Sequence, residues 1–128
     1  MTDLRVVYRR YNARCNQHRF QELGEFVRPE IRVNDEPVGR EQYASGLEAV
    51  IRAFPDYSWT IEHLLVEGEI VGVHLRDTGT HTGPWLGVDP TGQRVETQEF
   101  AFYRFLEGRI AEVWVTADNV EVLRQLRG

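Results

Sequence analysis

The chain has a single cysteine, Cys15, in 128 residues, so no disulfide can form within it. No apolar run approaches the ~20 residues of a membrane span. The N-terminus, Met1-Thr2-Asp3-Leu4-Arg5, lacks the apolar core of a secretion signal. An excess of positive charge is also missing. The net charge is -5, and the one basic pair, Arg9-Arg10, falls on a predicted helix. Phosphate binding needs a clustered basic surface, so nucleic acid is not an expected partner. The four histidines, His18, His63, His74 and His81, show no His-Glu-x-x-His spacing, and there is no cysteine cluster to hold zinc. Gly79 to Gly92 is glycine-rich without the Gly-Lys-Ser/Thr of a phosphate loop. Neither Gly-x-Gly-x-x-Gly after a strand nor Gly-x-Ser-x-Gly occurs. These absences lead to the expectation of a cytoplasmic protein with no metal and no membrane or nucleic-acid partner.

What is present is ordinary globular composition, 41% hydrophobic and 27% charged, at a length that suits one domain spanning residues 1–128. Leu4, Val7, Tyr8, Tyr11 and Cys15 form the apolar stripe of a first helix, capped by Thr2 or Asp3. Phe20, Leu23, Phe26 and Val27 mark a short second helix closed by Pro29. Glu30 to Val33 alternates as a short strand, and Asn34 to Pro37 reads as a loop. Tyr43, Leu47, Val50, Ile51 and Phe54 are the stripe of a third helix, opened by Gly39 and stopped by Pro55. Strands follow at Tyr57–Val66 and Ile70–His81 around a Glu67-Gly68 turn. After the Gly83–Gly92 loop comes the strongest β signal, Arg94–Leu106 and Arg109–Asp118 around Glu107-Gly108. Helices grouped before strands indicate an α+β fold with a curved antiparallel sheet. Helices over such a sheet leave a concave pocket for a small ligand.

With the other templates absent, carboxylate acid–base chemistry is what remains. A plain two-residue turn at Glu107-Gly108 pairs residues whose numbers sum to 215, which sets Thr97 against Asp118, Glu99 against Thr116 and Ala101 against Trp114. One face would then mix Thr97, Glu99, Tyr103, Trp114, Thr116 and Asp118, and the other would carry Phe100, Phe102, Val113 and Val115. Asp118 has two readings. It begins a capping-box spacing, Asp118-Asn119-Val120-Glu121, and so caps a final helix with Val120, Leu123 and Leu126. It is also a carboxylate at the end of an apolar strand, suited to general acid/base work. His74 either lines a pocket or lies on a solvated face. His81 reads as a structural residue at a turn, and Cys15 as core rather than nucleophile. Trp59 and Trp85 are either packing or platforms for a planar ligand. The Tyr11 hydroxyl needs a polar partner, which a pocket supplies.

Several ordered motifs then converge: Phe54-Pro55-Asp56, Gly79-Thr-His-Thr-Gly-Pro-Trp-Leu-Gly87, Pro90-Thr-Gly92, Arg104 with Gly108-Arg-Ile110, Glu112-x-Trp114-x-x-x-Asp118, and Leu123-x-Gln-Leu126. In this order and spacing the chain closely resembles the SnoaL-like polyketide cyclase family of the NTF2-like superfamily. The resemblance implies a cone-shaped α+β barrel, a curved antiparallel sheet wrapped by N-terminal helices, often paired as a homodimer through its sheet. It implies a cofactor-free cyclase or isomerase acting on a polyketide-type or related hydrophobic intermediate. The ring closure would be an intramolecular aldol or an epoxide opening. Asp118 matches that family's general acid/base and Tyr11 its cavity-lining tyrosine. His74 joins Asp118 as an expected catalytic residue, and Trp59, Arg104 and Trp114 join Tyr11 as expected substrate-binding residues. Two departures stand out: Val113 where many members have histidine, and His74 where many have arginine. The alternative, from another class, is a non-catalytic small-molecule-binding module of NTF2-like fold, with Asp118 only a cap.

Overall fold

The computed structural model describes residues 2–128. Helix α1 spans Leu4–Asn16, and the Asp3 carboxylate accepts from the Arg5 N–H at 3.0 Å to cap it. Its buried stripe is Tyr8, Tyr11 and Cys15, with Asn12 beside them. Asn12 and Asn16 both donate to the Trp59 carbonyl, at 3.1 and 2.9 Å, and Asn16 accepts from the Trp59 N–H at 2.8 Å. These side-chain amides fasten α1 to the strand below it. Helix α2 spans Arg40–Ala53 with Gly39 at its N-cap, and the chain leaves it at Phe54, before Pro55. Strands β3 (Ser58–Glu67), β4 (Ile70–Thr80), β5 (Arg94–Leu106) and β6 (Arg109–Ala117) run in the antiparallel succession expected, and α3 (Asn119–Arg127) closes the chain.

The first third differs in detail from the expectation. Phe20–Glu25 is a short 3-10 helix, not a longer helix ended by Pro29. Pro29 instead lies inside strand β1, Val27–Val33. The supposed loop after it holds a tight turn at Asn34-Asp35, both with positive φ, and a further strand, β2, Glu36–Gly39. The sheet order is β2-β1-β6-β5-β4-β3, a curved and unclosed sheet. One pairing is parallel: β1 lies along β6, so the sheet is not antiparallel throughout. Asn34 secures that seam. Its side chain accepts from the Val115 N–H at 2.9 Å and donates to the Val115 carbonyl at 3.1 Å.

The register of the last hairpin decides which side chains face inward. Glu107 and Gly108 both take positive φ, as a two-residue hairpin turn of this kind requires. Phe105 then pairs with Ile110 and Leu106 with Arg109, summing to 215 as expected. The register shifts at Arg104, which pairs with Glu112 and leaves Ala111 as an extra residue. Beyond that bulge Tyr103 faces Val113, Ala101 faces Val115 and Glu99 faces Ala117. A one-residue slip moves every later side chain to the other face. The expected mixed face is therefore split. Thr97, Glu99 and Tyr103 turn inward beside Val113 and Val115, while Trp114 and Thr116 turn outward beside Phe100 and Phe102.

Two apolar clusters hold the assembly. The larger joins α1 and the 3-10 helix to the inner sheet face through Tyr8, Tyr11, Phe20, Leu23, Phe26, Val71, Leu75, Tyr103 and Val113. The smaller joins the end of α2 to α3 through Phe54, Val95, Val122 and Leu126. Gly83 sits where the Gly-rich loop crosses α2, donating its N–H to the Ala53 carbonyl at 3.0 Å. A Cβ there would lie 2.2 Å from the Arg52 carbonyl oxygen, so only glycine fits the crossing.

Candidate functional site

A cavity of about 110 Å³ lies between the two long helices and the inner sheet face. Helix α1 contributes Tyr8, Tyr11, Asn12 and Cys15, and α2 contributes Tyr43 and Leu47. Trp59, Leu75, Glu99, Tyr103, Val113 and Val115 come from the sheet. The helical period of Tyr8, Tyr11 and Cys15 and the strand alternation of Glu99, Ala101 and Tyr103 bring these groups to one place.

Four tyrosine hydroxyls dominate the polar lining. The Tyr8 and Tyr103 rings pack with centroids 5.0 Å apart, and Tyr11 and Tyr43 hydrogen-bond each other at 2.6 Å. Such a pair uses one O–H internally and leaves the other free to donate to a ligand oxygen. Burial pushes all four phenols well above their ordinary range, so they are neutral donors. Burial also pushes the Cys15 thiol up to about 12, which leaves it protonated and poorly nucleophilic.

Glu99 is the acidic member of the lining, partly buried at the middle of β5. Behind it, on β4, Asp77 is fully buried. The two are diagonal neighbours on one sheet face, since Leu75 pairs with Glu99 and Asp77 with Thr97. Asp77 Oδ2 accepts from the Tyr57 hydroxyl at 3.1 Å. Burial, and then the hydrogen bond and negative charge of Glu99, push the Asp77 carboxyl far above the usual carboxylate range. Asp77 Oδ1 has no N–H or O–H donor. As the protonated oxygen, it would instead be the donor to Glu99.

The residues expected to act divide between the two sheet faces. Tyr11 and Trp59 line the cavity, with Trp59 held edge-on to Tyr57 and Phe20. His74, Arg104 and Trp114 lie on the outer face. His74 stacks on Phe100 with ring centroids 4.7 Å apart, meets His63 Nδ1 at 3.0 Å and Gln98 Oε1 at 2.7 Å. Arg104 pairs with Glu112 across the hairpin at 3.3 Å, and Trp114 Nε1 donates to Asp35 at 3.3 Å. Asp118 is exposed and forms the N-cap of α3, accepting from the Glu121 N–H at 3.1 Å. The reciprocal half of the capping box is missing, because Glu121 turns to Arg124 at 2.6 Å and the Asp118 N–H donates to the Gln98 carbonyl. Asp118 borders a surface depression with Gln98, Phe100 and Thr116 rather than the cavity. His81 is fully buried beside Phe54 and accepts from the Thr91 N–H at 3.2 Å, a structural tie at the end of β4.

Asp77, Glu99 and Tyr43 were not singled out for chemistry in the sequence. Asp77 continues the inward series Val71, Val73 and Leu75 of β4, and that isolated charge was the available signal, whereas Glu99 shares its inward face with Thr97. Among the described residues, no group of three or more His, Cys, Asp or Glu side chains is placed to hold a metal ion. No helix among them is long and apolar enough to cross a membrane.

The family model for SnoaL-like polyketide cyclases matches residues 5–126. The chain belongs to that family. Solved structures agree in fold. A SnoaL-like polyketide cyclase from Agrobacterium tumefaciens is 29% identical over 98% of this chain and 99% of its own, with a TM-score of 0.88. IdmH from Streptomyces antibioticus, a proposed polyketide cyclase, is 24% identical over 99% and 100%, with a TM-score of 0.89. AclR from Streptomyces galilaeus, a proposed hydroxylase, is 24% identical over 96% and 83%, with a TM-score of 0.84. No protein among the curated sequences matches the chain. The fold by itself therefore does not fix the reaction.

Proposed function

We propose that this SnoaL-like protein is a cofactor-free cyclase or isomerase that moves protons on a ketone-bearing, polyketide-type or related hydrophobic intermediate. The observation that carries the reading is Glu99, the acidic side chain of a cavity whose other lining is uncharged: tyrosines, Asn12 and apolar side chains. Glu99 takes a proton from the carbon beside a carbonyl. The free hydroxyl of the Tyr11–Tyr43 pair donates to the carbonyl oxygen as enolate charge develops. The enolate carbon then attacks a second carbonyl within the same molecule, and Glu99 returns its proton to the new alkoxide. Epoxide-opening ring closure would use the same base and donors. The sequence has no lysine, so no lysine Schiff base is available as another route to the enolate equivalent.

Size limits the substrate. A cavity of about 110 Å³ is smaller than the ~150 Å³ that encloses a benzene ring. Only the reacting carbonyl end of a chain, or one edge of a ring, enters, and the rest of the molecule stays outside. The outer face exposes Phe100 (51%) and Phe102 (59%) beside Trp114, and it serves as the contact between two copies.

The test is deuterium uptake from D2O into 2-cyclohexenone and 2-tetralone, followed by proton NMR. Wild type is expected to accelerate exchange of the single-ring ketone most. Glu99→Gln should reduce that exchange at least ~100-fold, the usual scale of general base catalysis. Asp118→Asn, a comparable helix cap, should leave it unchanged. Loss in Asp118→Asn with retention in Glu99→Gln would return the acid/base role to Asp118. No acceleration of any ketone would favour the binding-module reading.

A further inference from the structure

Glu99 is central to the cavity's charge balance. Its negative charge acts on Tyr8, Tyr43, Tyr57, Tyr103 and Cys15, which come from both long helices, the β3 entry and β5. Each of those groups is held neutral by burial. A second carboxylate placed beside Glu99 without a counter-charge would be strongly unfavourable. Asp77 is nevertheless there, fully buried, with Oδ1 unpartnered by any donor and Oδ2 accepting from Tyr57. One proton on Oδ1 resolves all of this. It removes the second charge, gives Oδ1 a bond to make, and supplies a donor to the carboxylate that faces the cavity.

We propose that Asp77 is a positioning residue that stores one proton for the site, donating from Oδ1 to the Glu99 carboxylate while Tyr57 fixes its other oxygen. The proposal rests on Glu99 being the working base, and it assigns the control of that base to Asp77. The charge settles on Glu99 because that residue meets the cavity, whereas Asp77 is sealed from solvent. The donated hydrogen bond orients the Glu99 carboxyl and fixes the lone pair that meets the substrate. No net transfer from Asp77 is needed: Glu99 takes the substrate proton and gives it back, and the Asp77 proton stays within the pair.

The experiment follows the carbonyl carbons of both side chains by 13C NMR from pH 4 to pH 10, in wild type, Asp77→Asn and Asp77→Leu. Wild type should show Asp77 protonated at pH 7 while Glu99 is ionised. Asp77→Asn presents an N–H donor to Glu99 and a carbonyl to Tyr57, so the Glu99 titration should stay within about half a pH unit. Asp77→Leu removes the donor, and the Glu99 titration should rise by about one unit or more, with the acid limb of ketone exchange rising alongside it. Asp77 ionised at pH 7 in wild type would overturn the proposal, as would a Glu99 titration equally displaced in the Asn variant. If Asp77→Leu does not fold, wild type and Asp77→Asn decide the matter. Because these titrations are read without substrate, they stand apart from the Glu99→Gln exchange test. Exchange that survives Glu99→Gln would remove the base assignment while the proton-sharing pair remained measurable.

Discussion

Asp77→Asn should abolish a specific pH dependence of stability. In the unfolded chain an aspartate titrates near ~3.9. In the native protein burial and Glu99 push Asp77 up to about 10. Between those values the folded state holds one proton that the unfolded state has released. Linkage then fixes the slope: native stability falls by about 1.4 kcal/mol for each pH unit, whatever the upper value, until the native group itself ionises. The sign follows from a raised carboxyl. Its contribution is complete below the unfolded value and is lost as pH rises toward the folded one. From pH 5 to pH 7 wild type should therefore lose about 2.7 kcal/mol relative to Asp77→Asn, which cannot release a proton. For a domain of this size that is roughly 10 °C in the melting midpoint. Urea titrations of both proteins at pH 5, 6, 7 and 8, fitted with a common m-value, read the difference directly. Parallel stability profiles would refute the reasoning, since Asp77 would then carry the same protonation folded and unfolded.

Three further outcomes are expected. Gly83→Ala should destabilise by about 2–3 kcal/mol in urea, because the new methyl meets the Arg52 carbonyl oxygen, a backbone atom that cannot step aside cheaply. Asp118→Ala should cost about 1 kcal/mol by thermal melt and Asp118→Asn nearly nothing, since the side chain accepts one helix-end N–H. If two copies meet through the outer face as proposed, wild type should sediment as a dimer in analytical ultracentrifugation and Phe102→Asp as a monomer, with the cavity and its titrations unaffected.

Much of the fold was legible because it rests on local pattern. The stripes Tyr8–Tyr11–Cys15 and Tyr43–Leu47–Ile51 repeat at helical spacing and bury as that spacing requires. Glu107-Gly108 supplied the positive φ angles that its turn demands. Strand β2 was not legible. Four residues, one of them Pro37, carry little alternation, and β2 exists because the Asn34-Asp35 turn lays it against β1. The 3-10 helix was read as a longer helix because Phe20, Leu23, Phe26 and Val27 have helical spacing. The last two instead bury at the start of β1, whose position is set by pairing with β6.

By itself, then, the sequence determined most of the elements, the Glu107-Gly108 turn, the motifs of a SnoaL-like chain and the capping spacing at Asp118. These depend on neighbours within a turn or two, or on spacing along one strand. Which side chains meet was left to the tertiary structure. The bulge at Ala111 turns Trp114 outward and leaves Val113 and Val115 inward, yet Arg109-Ile110-Ala111 carries no glycine or proline to announce it. Pairing between β4 and β5 sets Asp77 beside Glu99, more than twenty residues apart in the chain, and the folded chain buries Asp77 completely. A carboxylate's protonation depends on that burial and on that neighbour. Neither quantity exists before the chain has folded.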